Sequence, residues 1–167
     1  LRFHGDVLLA TPMIEVIKEN FPNSTIDFLV YKGTGLLLET NSKVDNIIEA
    51  TASSKSTLIH RLKCEWILLN RLIKTNYDFG VFLTTQWRVA LMGRALKSAK
   101  TTAVDDKKRK TGFWTGSFSY VFPEAGENHI IERNLGALKS LGISTNSIDP
   151  ILSLNIPGKA KDFVRKC

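Results

Sequence analysis

The chain has 167 residues, 43% hydrophobic and 23% charged, the size and balance of one folded domain with its own core. No run approaches the roughly 20 apolar residues of a membrane helix, and Val7–Ala10 behind Asp6 is too short for a signal peptide. A net charge of +7 and a pI of about 9.5 favour anionic partners, whether nucleic acid, phosphorylated sugars or acidic lipid headgroups.

The first residue is Leu1 rather than Met, which reads as a trimmed chain or a piece of a longer one. Residues 7–21 are predicted helical. Met13, Ile14, Ile17 and Phe21 follow helical spacing, Asp6 is placed to cap the start, and Pro12 is expected to bend the first turns. Thr25–Tyr31 has the apolar, β-rich character of a buried parallel strand. Gly33 and Gly35 follow, then a short helical stretch at Leu36–Thr40 and a second strand at Val44–Glu49. Thr51–Ser56 reads as a polar, flexible connection.

The longest predicted helix covers residues 57–75, with Leu58, Leu62, Trp66, Leu69 and Ile73 forming one apolar stripe expected to face the core. Asp78–Thr84 is another strand, Gln86–Leu96 a helix and Thr101–Val104 a short strand. Asp105–Thr115 reads as a charged loop, and His129–Leu141 as a helix stopped by Gly142. No full element is expected after Asp149, and Pro157-Gly158 reads as a turn or linker. The alternation implies an α/β fold, a parallel sheet with helices on both faces, with Thr25–Tyr31 and Asp78–Thr84 near its centre.

Ligands of open parallel sheets bind beyond the strand carboxyl ends. Arg2-Phe3-His4-Gly5-Asp6 has that form: a strand end, a glycine turn, a helix start. Asp6 is either a cleft carboxylate or a plain helix cap. Gly33-Thr34-Gly35 lacks the third glycine of a dinucleotide loop, its place being held by Leu38. Lys107-Lys108-Arg109-Lys110 is the densest charge, read as a solvated loop or as an anion-binding loop. Phe113 and Trp114 beside it admit nucleic acid as a third reading. His129 reads as structural. Cys64 and Cys167 have neither metal nor redox spacing, which suits a reducing compartment. No HExxH, CxxC or GxSxG motif occurs.

The segment Leu1-Arg2-Phe3-His4-Gly5-Asp6-Val7-Leu8-Leu9-Ala10-Thr11-Pro12 resembles the N-terminal motif of the lipopolysaccharide heptosyltransferases of glycosyltransferase family 9. Phe21-Pro22, Ile26–Tyr31, Val44-Asp45-Asn46-Ile47-Ile48, Tyr77-Asp78 and His129-Ile130-Ile131-Glu132-Arg133-Asn134-Leu135 extend the likeness over most of the chain. The resemblance implies a Rossmann-like domain, the N-terminal half of a GT-B architecture. Residues 1–150 would form the acceptor-side domain and 151–167 the start of a linker. The C-terminal donor-binding domain and most of a first strand would lie outside the chain.

What the resemblance implies for function is an inverting transfer of heptose from ADP-heptose to a lipopolysaccharide core acceptor. No metal or other cofactor would be needed. Asp6 would be the general base, and Arg2, His4, Gly5, Lys55, Arg61, Lys63, Lys107, Lys108, Arg109 and Lys110 would serve the acceptor. The expected location is the cytoplasm, with peripheral contact at the inner face of the inner membrane. The alternative is a standalone Rossmann-like module that binds anions or nucleic acid without catalysis. One carboxylate suffices for the transfer, because ADP leaves without protonation by a second acid.

Overall fold

The computed structural model describes residues 3–50, 57–96, 98–105, 112–124 and 129–145. Thr51–Ser56, Lys107–Lys110 and the expected linker at 151–167 lie outside them, as do Arg2 and Lys55. The chain divides into two units, Leu1–Ala50 with Ser147–Cys167, and Thr51–Asn146.

The first unit begins with two helices where the spacing predicted one, α1 (His4–Leu8) and α2 (Pro12–Asn20). Pro12 has no N–H to donate to the Leu8 carbonyl, so a continuous helix would leave that carbonyl unpaired. Instead the Thr11 hydroxyl and backbone N–H donate to it, at 2.8 and 3.1 Å. Pro12 then opens α2, where its missing donor costs nothing. Met13, Ile14 and Val16 are buried and Ile17 half-buried, while Phe21, expected on the same stripe, ends the helix exposed.

Strand β1 (Asp27–Tyr31) pairs in parallel with β2 (Asn46–Ala50), Val30 facing Glu49 in the register. Between them Gly35–Leu37 forms one turn of 3-10 helix. Val7, Ile14, Ile26, Val30 and Leu38 make the core of this unit. Asp45 fastens its base, accepting from the Ile26 N–H at 2.7 Å and from the Lys18 ammonium at 3.4 Å.

In the second unit, α3 (Leu58–Thr75) is capped by the Thr57 hydroxyl, which accepts from His60 N–H, and ends at Asn76 in the left-handed conformation. Then come β3 (Phe79–Phe82), α4 (Trp87–Ala95), β4 (Lys100–Asp105), α5 (Gly112–Thr115), β5 (Tyr120–Pro123) and α6 (Ile130–Ser140). Strands β3, β4 and β5 form a parallel sheet in that order. Neither α5 nor β5 is marked by the sequence pattern. The expected central places of Thr25–Tyr31 and Asp78–Thr84 are corrected among the described residues: β1 pairs with β2 alone, β3 with β4 alone, and β4 is the central strand of its sheet. Burial agrees, since Thr101, Thr102, Ala103 and Val104 of β4 are all buried, whereas Phe79 of β3 is exposed.

Trp114 is buried among Val89, Ala90, Ala103 and Phe118, and its indole N–H donates to the Val104 carbonyl at 3.2 Å. The Thr102 and Ser140 hydroxyls meet at 2.6 Å and tie β4 to α6. His129 caps α6, its Nδ1 accepting from Ile131 N–H at 3.3 Å, which fits the structural role read for it. Gly142, at φ +82°, closes α6 in the left-handed region, and Ile143 N–H reaches back to the Leu138 carbonyl.

The largest correction concerns α3. The helix is where the periodicity predicts it, but its inward face is Leu68 and Leu72, with Leu69 half-buried. Leu58, Leu62, Trp66 and Ile73 of the expected core stripe are exposed, Leu62 by 69% and Trp66 by 67%. Across the contact with α4, Arg88 Nη2 pairs with Glu65 Oε1 at 2.8 Å.

Candidate functional site at the strand carboxyl ends

Strands β1 and β2 run in parallel, so their carboxyl ends, Tyr31 and Ala50, lie on one edge of the sheet. The Lys32-Gly33-Thr34 turn leaves β1 at that edge. Gly33 takes φ +86°, a backbone region L side chains avoid. Glu49 Oε1 accepts from Gly33 N–H at 2.9 Å, and the Thr34 hydroxyl and backbone N–H both donate to the Tyr31 carbonyl, at 2.7 and 3.0 Å. Gly35 is tight for a different reason. A Cβ there would come within 2.8 Å of Ile47 Cγ2, so a larger residue would force the Ile47 side chain on β2 to move.

His4 reaches this turn. Its Nε2 lies 3.1 Å from the Gly33 carbonyl oxygen. A carbonyl only accepts, so Nε2 carries a proton and is the donor. Gly5 is open, with nothing within 4 Å of a Cβ placed on it. Asp6 is half-buried and stands third in α1 rather than at its cap. The cap is Phe3, whose side chain has no acceptor. The Asp6 Oδ2 turns back instead and accepts from Phe3 N–H at 3.3 Å. This is the return half of a capping box. Among the described residues Oδ1 of Asp6 takes no hydrogen bond. His4, Gly5 and Asp6 thus share one strand edge with Gly33 and Glu49, two residues the sequence reading did not assign to the site.

Arg61 and Lys63 belong to the second unit, both exposed on the first turns of α3. Arg2, Lys55, Lys107, Lys108, Arg109 and Lys110 fall outside the described residues. Of the aromatics beside the basic run, Trp114 is core and cannot stack on a base. Phe113 carries the Arg94 guanidinium 4.2 Å over its ring. Gly33-Thr34-Gly35 leads into a 3-10 turn rather than a long helix, so it lacks the helix N-terminus on which a dinucleotide loop places pyrophosphate.

Fold and local geometry together define a parallel α/β protein in which, among the described residues, the carboxylates of Asp6 and Glu49 lie toward the carboxyl ends of β1 and β2. Solved structures share the fold. The glycosyl transferase family 9 structure from Veillonella parvula superposes with a TM-score of 0.74 at 17% identity, over 99% of this chain and 46% of that one. Escherichia coli heptosyltransferase WaaC with ADP gives 0.70 at 18% identity, over 99% and 53%. The sequence comparison is closer: lipopolysaccharide heptosyltransferase 3 of Escherichia coli K12 is 35% identical over 153 residues, 92% of this chain and 44% of its own length. The family model for glycosyltransferase family 9 (heptosyltransferase) matches residues 66–163. The chain belongs to glycosyltransferase family 9. It spans a little under half the length of the curated relatives it matches.

Proposed function

We propose that this chain is the acceptor-side half of an inverting heptosyltransferase, moving heptose from ADP-heptose to a lipopolysaccharide core acceptor. Its 35% identity to a lipopolysaccharide heptosyltransferase, over nearly its whole length, carries the reading. A solved relative of the same fold was captured with ADP-2-deoxy-2-fluoro heptose.

In the proposed reaction an acceptor hydroxyl oxygen attacks the anomeric carbon of the heptose. The bond from that carbon to the ADP oxygen breaks, and ADP departs with the electron pair. The hydroxyl proton passes to the Asp6 carboxylate. A positioned base of this kind contributes about 10²–10⁴-fold. Asp6 suits the role chemically: one oxygen is held by Phe3 N–H, which fixes the side chain, and the other takes no hydrogen bond among the described residues. His4, fastened to Gly33, orients α1, the helix that presents Asp6. Arg61 and Lys63, with the basic run 107–110, serve an acceptor bearing phosphates and acidic sugars through charge-assisted hydrogen bonds. ADP-heptose is held mainly by the other half of the GT-B architecture.

The test is a transfer assay on the full-length protein with ADP-heptose and defined core acceptors. The expected result is heptosylated acceptor and free ADP in equal amounts. Binding of acceptor with no ADP release under any donor would reduce the protein to a binding module.

A further inference from the structure

The most regular apolar pattern in the sequence does not face the core. On α3, Leu58, Leu62, Trp66 and Ile73 are exposed, with Ile59 beside them at 80%. At about 100° per residue these five fall within an arc of about 100°. The buried Leu68 and Leu72 lie on the adjoining arc, about 40–80° to the other side of Leu58. The apolar surface of the helix is therefore wider than its own unit covers, one arc turned inward and the next left exposed.

The charges around the outward stripe are one-sided. Arg61, Lys63, Arg71 and Lys74 are all exposed. The helix has a single acid, Glu65, and Arg88 already neutralises it. Lys63 and Lys74 flank the stripe about 60–80° beyond Trp66. An 18-residue helix of this composition cannot cross a bilayer. It has the make-up of one that lies in the interface: leucines and a tryptophan on one side, long basic side chains at the border. A protein partner is a poorer match, because interface cores are depleted in lysine. Nucleic acid is poorer still, because leucine and isoleucine offer no face for base stacking.

We propose that the outward face of α3 docks the protein on an anionic lipid surface, with Leu58, Leu62, Trp66 and Ile73 entering the headgroup boundary and Lys63 and Lys74, at its border, meeting lipid phosphates. This gives the proposed function its membrane contact, yet its test requires no transfer activity.

The experiment is sedimentation of the full-length protein with vesicles of phosphatidylglycerol and phosphatidylcholine, against phosphatidylcholine alone, with no lipopolysaccharide present. The protein should pellet with the anionic vesicles and dissociate as salt rises. Leu62→Gln with Trp66→Gln should weaken binding by about ten-fold or more. Lys74→Gln should weaken it about five-fold, whereas Arg71→Gln, on the opposite side of the helix, should leave it unchanged. Since these side chains are exposed, the variants should keep the wild-type melting temperature, so lost binding reports the surface. Wild-type binding no stronger to anionic than to neutral vesicles would overturn the proposal. So would unchanged binding of the Leu62/Trp66 variant, or a concentration-dependent dimer that the same variant dissolves.

Discussion

His4 and Gly33, 29 positions apart, are joined by a hydrogen bond of 3.1 Å from the imidazole Nε2 to the glycine carbonyl. It ties the start of α1 to the turn after β1, so the helix that carries Asp6, formed where the sequence suggested a glycine turn, is held from the side as well as along the chain. His4→Ala should release that tie and lower transfer by up to about 10²-fold, the scale of a small misplacement at a reacting centre. His4→Gln, whose amide can still donate to the carbonyl, should recover most of the rate. Equal loss in both variants would show that the imidazole does something other than donate to Gly33.

The two apolar arcs of α3 make opposite predictions for the same residue type. Leu72 is 6% exposed and packs inward. Leu72→Ala should cost about 2–5 kcal/mol. Leu62→Ala, on the outward arc, should change stability by less than about 0.5 kcal/mol. Denaturant unfolding of the two variants checks this, and equal losses would restore the inward stripe read from the sequence.

Asp45 should make the folded state sensitive to acid. The hydrogen bond from Ile26 N–H, aided by the Lys18 ammonium, holds its carboxyl below the usual carboxylate range. A depressed folded value means the stabilisation is full above the unfolded value of about 3.9. It is lost as pH falls from there through the folded value. Asp45→Asn keeps an oxygen for Ile26 N–H but has no charge to titrate. Its melting temperature should therefore fall less than that of the wild type over the same acid window. Parallel curves for the two proteins would mean that Asp45 does not carry the acid response.

Most helices and strands were legible because their signals are local. Pro12, Gly142 and the 3.6-residue spacing of Leu58, Leu62, Trp66, Leu69 and Ile73 each act within a few positions. Which side of α3 turns inward was not legible. Periodicity reports that a helix is two-sided, and here Leu68 and Leu72 are as apolar as the stripe that won the reading. β5 escaped because Tyr120-Val121-Phe122-Pro123 is only four residues long, too short to show alternation, and ends in proline. At the site, Gly5-Asp6 stood out through its motif. Glu49 and the His4–Gly33 bond depend on the pairing of β1 with β2, and no neighbouring residue announces either.

Asp6 decides whether the carboxylate at the strand edge is chemistry or scaffolding. Its Oδ2 accepts from Phe3 N–H, so part of its work is structural in either case. Asp6→Asn retains an oxygen for that bond but is a far weaker proton acceptor. Asp6→Ala removes both functions. If Asp6 is the general base, the Asn variant should melt within a degree or two of wild type. Its kcat should nevertheless drop by about 10²–10⁴-fold, with acceptor and donor binding largely intact. The Ala variant should show the same loss of turnover together with about 0.5–2 kcal/mol of lost stability, the usual cost of removing a cap contact. The purely structural role predicts another pattern: near-normal kcat for Asn, and for Ala a loss of stability with turnover reduced only as far as the fold is. Measuring kcat and melting temperature on the same two full-length variants separates these patterns, and wild-type turnover in Asp6→Asn would remove Asp6 from the mechanism.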